Sequence, residues 1–194
     1  MQREEETARA KETADDASLT LEAYADTIIP GEKRWPGDRA VAGAATGGGA
    51  VAAGALELLR WDATGISDDL DDLAQRVNEH ARAYAEERGL ELDPDVPPFV
   101  ALEFPDRTEL IARLTRPGHP EKEFWVLLSL FCNMSFDSAA HLHTADALRD
   151  GHPGLTVMGI TEPDADGLWR FQNSGYGREL ARMHPSTTPS GSPA

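Results

Sequence analysis

The chain has 194 residues, 40% hydrophobic and 27% charged, which suits one soluble globular domain with enough length to bury a real core. Its 34 acidic and 18 basic residues give a formal net charge of −16, a surface that repels phosphate backbones and anionic lipid and so argues against nucleic acid and membrane-surface partners. That charge leaves a merely solvated acidic surface, or docking on a basic patch of another protein.

The N-terminal stretch "MQREEETARAKETADDAS" is polar, with no apolar signal region and no twin arginine. No segment approaches the ~20 apolar residues of a membrane span. The protein therefore reads as cytoplasmic, with residues 1–17 as a disordered acidic arm. Leu21, Tyr24, Ala25 and Ile28 stand at i, i+3, i+4 and i+7, which predicts a short amphipathic helix with Ser18 as its N-cap and Pro30-Gly31 as its stop. A Pro- and Gly-rich loop follows. "AVAAGALELLRW" reads as a second helix. "SDDLDDLAQRVNEHARAYAEERG" is the clearest one: Ser67 can cap it, and Asp68, Asp69, Asp71 and Asp72 crowd its positive end. Leu70, Leu73, Val77, Ala81 and Tyr84 line one face, and Gly89 suits the stop.

In "PDRTELIARLTR", Asp106 and Glu109 have capping-box spacing. Pro120 can open a long helix, apolar on all sides from Phe124 to Phe131, as a central helix should be. The helical pattern continues towards Asp150, where Gly151 ends it, with room for a bend near Asn133 to Ser135. Short strands have room around "LTVMGI" and "LWRFQ". "GYGRELARMH" suits a last short helix, and residues 185–194 read as a disordered tail. The expected architecture is all-α: a bundle of about five to six helices around a long central apolar helix, with long irregular loops, in a single domain over 18–184.

"FDSAAHLHTADAL" carries the first candidate site: Asp137, His141 and His143. On a helix, residues two apart lie about 200° around the axis from each other, so His141 and His143 cannot share a metal. Asp137 and His141 can pair on one face, and His143 and Asp146 on another. Ordinary helix-surface pairs satisfy that pattern; an Asp137–His141 pair in a pocket could act as an acid–base unit. A metal would need further ligands such as His119, His152 or His184, and none is expected. Gly47-x-Gly49-x-x-Ala52 matches the dinucleotide fingerprint nominally, but without the strand and βαβ unit that it requires. Cys132, the single cysteine, rules out an internal disulfide and sits in an apolar run as a small hydrophobe. Trp169, Phe171 and Tyr176, with Arg170 and Arg178, have the composition of interface anchors or of a loop that plugs the core; Trp35 poses the same choice.

"LEAYADTIIPGEKRWPGD" (Leu21 to Asp38) resembles the opening of the gluconate 2-dehydrogenase subunit 3 family, with Ala25 to Gly31 in that family's form. The stretches around "MGITEPDADGLWRFQNSGYGREL" and "FDSAAHLHTADAL" look like an uncharacterised actinobacterial branch of the same group. The resemblance implies a small accessory or maturation subunit of a flavin-dependent oxidoreductase of the glucose–methanol–choline type. FAD would sit on the large subunit and no cofactor on this chain. Exported relatives often carry a twin-arginine signal on the small subunit, and none is visible here. The alternative is a stand-alone, cofactor-free enzyme or small-molecule binder in a biosynthetic pathway, using Asp137 and His141.

Overall fold

The computed structural model describes residues 2–162 and Ser186, with side chains from Thr13 onward. The chain divides into two compact units, Met1–Ile160 and Thr161–Ala194, a boundary inside the 18–184 span. The first unit contains α1 (Gln2–Ile28), α2 (Ala55–Leu59), α3 (Leu70–Arg88), α4 (Pro98–Ala101), α5 (Phe104–Thr115), α6 (Lys122–Asp137), α7 (Thr144–Arg149) and α8 (Pro153–Val157). No strand occurs among the described residues, and the protein is all-α as expected. "LTVMGI", one of the two stretches with room for a strand, begins inside α8; "LWRFQ" lies outside the described residues. No helix among the described residues is long and apolar enough to cross a membrane.

Helix α1 takes in the stretch expected as an arm, so it does not start at Ser18. The Ser18 hydroxyl instead donates to the Ala14 carbonyl one turn back. The last two turns of α1 are the enclosed part of the bundle. They pack against α2, α3, α4, α5 and α6, and Thr20, Leu21, Ala23, Tyr24, Ala25, Asp26 and Thr27 are all buried. Three of those side chains are polar apart from Tyr24, and each has its partners. Thr20 and Thr27 donate to the carbonyls of Asp16 and Ala23, and the Tyr24 hydroxyl donates to the Trp125 carbonyl on α6 at 3.0 Å. Satisfied polar groups of this kind cost little to bury.

Asp26 organises the loop that follows. Its two carboxylate oxygens accept from the amides of Gly31 at 3.1 Å and Ala42 at 2.9 Å. Burial raises this carboxyl above its usual range, and the amides of Ala42 and Gly31 pull it part of the way back. The loop then returns across its own start. Ala50 donates to Ile29, and Glu32 donates to Gly47. At the crossing, a Cβ on Gly31 would lie 2.5 Å from the Gly49 nitrogen, and one on Gly49 would meet the Ile29 carbonyl. The Gly47–Gly49 stretch therefore serves a backbone crossing. Gly49→Ala is expected to cost about 1–3 kcal/mol by forcing the backbones apart. A thermal melt matching that of the parent chain would show the contact to be dispensable.

Arg107 on α5 ties this loop to the rest. It is buried and donates to the carbonyls of Leu102, Ala40, Arg39 and Val100 at 2.6–3.2 Å. Asp38 holds the loop's outer limb. It accepts from the amides of Ala40 and Val41 and from Arg34, which also pairs with Glu22 on α1. Burial alone would raise the Asp38 carboxyl, but Arg34 and the amides outweigh it and hold it low.

The second expected helix is shorter than its pattern. Gly54 is left-handed, with φ 82°, so α2 starts at Ala55. Helix α3 follows the expected spacing: Leu70, Leu73, Val77, Ala81 and Tyr84 are buried, and left-handed Gly89 ends it. Ser67 does not cap it but lies in a 3-10 turn (Ser67–Asp69) before it. Asp106 and Glu109 form no capping box; both accept from the Tyr84 hydroxyl, joining α5 to α3. Pro120 falls just before α6, whose N-cap position is Glu121.

Candidate partner-binding face

Helix α6 is built from an apolar run, and its ring of apolar side chains splits between two surroundings. Trp125, Leu128 and Cys132 face the core and are fully buried. Phe124, Val126, Leu127 and Leu130 are 55, 42, 37 and 50% exposed. The expected central helix is thus a half-open one, and the enclosed position belongs to α1. A helix apolar all round needs a second covering surface, and a contiguous exposed apolar face marks an interaction site more often than chance.

The N-terminus of α6 is held in place by one carboxylate. Glu121 accepts from Arg76 at 3.1 Å and from the Trp125 indole at 3.3 Å, and it pairs with the His80 ring at 2.7 Å. The His80 contact keeps the Glu121 carboxyl below its usual range, against the opposing effect of burial. Beside this anchor, α3 and α6 enclose a cleft of about 330 Å³, lined by Ile66, Leu73, Phe124, Leu127 and the rim residues Asp69, Asp72 and Arg76. Acidic, exposed side chains stand on or next to the open face: Asp69, Asp72, Glu123 and Asp137.

The structure breaks the His-x-His stretch out of its expected helix. Helix α6 ends at Asp137, and Ala139 turns the chain with φ 47° before α7 starts at Thr144. The helical argument that separates His141 from His143 therefore does not apply. The two histidines belong to a connecting turn instead. His143 is exposed and stands 3.7 Å from Asp146, the pair expected from spacing, although Asp146 is also held by Arg149. Asp137 is exposed and makes no hydrogen bond with His141.

His141 turns towards α2. Its Nε2 lies against Gly54, where a Cβ would be 2.5 Å away, and the Glu57 carboxylate lies close to the same point. Its Nδ1 is enclosed and has no hydrogen-bond partner among the described residues. Burial lowers the imidazole below its ordinary value; Glu57 opposes this and His152 adds to it. His152 has a structural role: Nδ1 accepts from the Leu155 amide at the start of α8, and the ring reaches the Ala53 carbonyl.

The His141 shift predicts an acid sensitivity. The unfolded chain takes up its proton at about pH 6.5, while the folded imidazole stays neutral to lower pH. Stability is therefore full above that value and falls as the pH drops below it, until the folded group titrates as well. His141→Gln is expected to flatten the fall in unfolding midpoint as the pH drops below about 6.5. Equal slopes for the two proteins would discard this account.

Among the described residues, no group of three or more His, Cys, Asp or Glu is arranged to hold a metal ion. His119 instead accepts from the Glu121 amide. Cys132 is buried, and burial pushes its thiol up to about 12, which leaves it inert at neutral pH. Trp35 is 53% exposed, with the Arg34 guanidinium over its ring at 4.6 Å. Trp169, Arg170, Phe171, Tyr176, Arg178 and His184 lie outside the described residues.

Fold and site together define a small all-α protein with an anchored helix that leaves one apolar face open. Residues 15–194 match the model of a family of unknown function, DUF5987, and the chain belongs to that family. No curated protein and no solved structure matches it.

Proposed function

We propose that this protein is a non-catalytic accessory or maturation subunit that docks through α6 on an FAD-carrying oxidoreductase of the glucose–methanol–choline type. The carrying observation is the open apolar face of a helix already fixed on its other side by Tyr24, Trp125 and Glu121. The class of partner comes from the likeness of Leu21 to Asp38 to the gluconate 2-dehydrogenase subunit 3 family. In that likeness the polar residues of the motif, Asp26 and Asp38, hold the loop together, which suits a scaffold more than a reaction centre. A second copy is a poor occupant, because two chains of charge −16 repel each other. A basic-rimmed apolar surface is the complementary one. In this reading the chain binds no flavin itself and works beside its partner in the cytoplasm.

Co-expression with a flavin oxidoreductase encoded beside it is the test. The expected result is co-elution as one complex, with flavin absorbance following the large subunit and absent from the isolated small one. Separate elution of the two proteins would overturn the reading.

The rival reading, an enzyme or small-molecule binder, has in its favour the enclosed Nδ1 of His141, which has no partner among the described residues. Its proposed base pair is weakened by the position of Asp137, which is exposed and unbonded to His141. Glu57 is the carboxylate whose charge acts on the His141 ring.

A further inference from the structure

We infer that the partner inserts a large apolar side chain, adjoined by a lysine or arginine, into the cleft between α3 and α6. This rests on the docking role of α6 and specifies what is recognised there. The cleft of about 330 Å³ has an apolar wall of Ile66, Leu73, Phe124 and Leu127 that is continuous with the open face of α6. Its volume is near the low end of the roughly 300–1,000 Å³ of ligand pockets, which suits one anchoring side chain rather than a large cofactor. Such anchors, seated in preformed hollows, carry much of an interface's affinity.

The rim supplies the second half of the recognition. Asp69 and Asp72 edge the cleft, and neither pairs with a basic side chain among the described residues. Arg76, the cation on the same rim, is drawn away to Glu121 at 3.1 Å. The rim therefore presents two carboxylates without an ion pair among the described residues, beside an apolar hollow. A cationic side chain next to an apolar one complements both.

Acidic residues at the start of a helix have an ordinary explanation in the helix dipole. The structure contains its own control for that. Asp68 and Asp71 belong to the same helix start, but they line a different hollow, beside Ser18 and Arg60. A dipole or net-charge effect would treat the two pairs alike, whereas recognition in the cleft would not.

The experiment is calorimetric titration of the purified large subunit with the parent chain, D69N/D72N, D68N/D71N and L130D, each checked for unchanged helicity by circular dichroism. The measurements run from about 50 to about 300 mM salt. D69N/D72N is expected to weaken binding about tenfold at low salt and to flatten its salt dependence, with D68N/D71N close to the parent. If the two double variants behave alike while L130D abolishes binding, the cleft inference fails and the docking role stands. If the parent chain itself does not bind, the docking role fails and the inference falls with it.

Discussion

Arg107→Met is expected to lower stability by about 3–5 kcal/mol, a large part of the ~5–15 kcal/mol that holds a typical domain together. Four carbonyls, on Arg39, Ala40, Val100 and Leu102, now share one guanidinium in a buried site. Methionine fills a similar volume but donates no hydrogen bond, so those carbonyls lose their partner without gaining water. The raised Asp26 carboxyl would also lose a favourable positive charge nearby. Arg107→Lys keeps the charge but lacks the planar fork that reaches several acceptors at once, so it should recover a fraction of the loss. Urea unfolding of the three proteins measures this. A loss below about 1 kcal/mol for methionine would show that the carbonyls find other partners.

Leu130→Asp is expected to act the opposite way, leaving the fold alone and removing the interaction. Leu130 is half exposed on α6, and a surface change of this kind shifts stability by about 0.5 kcal/mol or less. In a complex the same carboxylate would be buried against an apolar surface without a partner. A loss of at least about 2 kcal/mol, or roughly thirtyfold in affinity, follows for a residue near the centre of an interface. Leu127→Asp should behave alike, with Thr108→Asp, exposed on α5, as the control. Undiminished binding by both leucine variants would remove α6 from the interface.

The legible parts of the fold were those set by local pattern. Helix α3 shows its spacing, its apolar face and its Gly89 stop directly in the sequence. Hydrophobicity alone points to α6 as the enclosed helix, whereas the end of α1 is the more enclosed one. The end of α1 carries Thr20, Asp26 and Thr27, whose burial depends on partners that a pattern does not reveal. Ala42 is 16 residues from Asp26, and Ala40 is 67 from Arg107. Capping signals failed where a longer-range contact used the same side chain: Asp106 and Glu109 serve Tyr84 on another helix.

The candidate site was legible in part, and in a different sense from the one expected. An apolar run around Phe124 to Phe131 was visible, but its two-sided surroundings needed the fold. The histidine stretch has good helix formers on both sides, so the break at Ala139 has no local signal. The pattern places Gly54 inside a helix, and its lack of a side chain makes room for His141.

The close approach of Gly31 and Gly49 also bears on how this family can change over time. At those two positions a side chain would press on the facing backbone. Between the last clamp at Ala42 and the return at Gly47 lie residues 43–46, mostly exposed. Lengthening a loop there is cheap, since doubling its length costs only about 0.6 kcal/mol in closure entropy. An insertion at 43–46 would thus give the same scaffold a different outer loop while leaving the crossing beneath it in place.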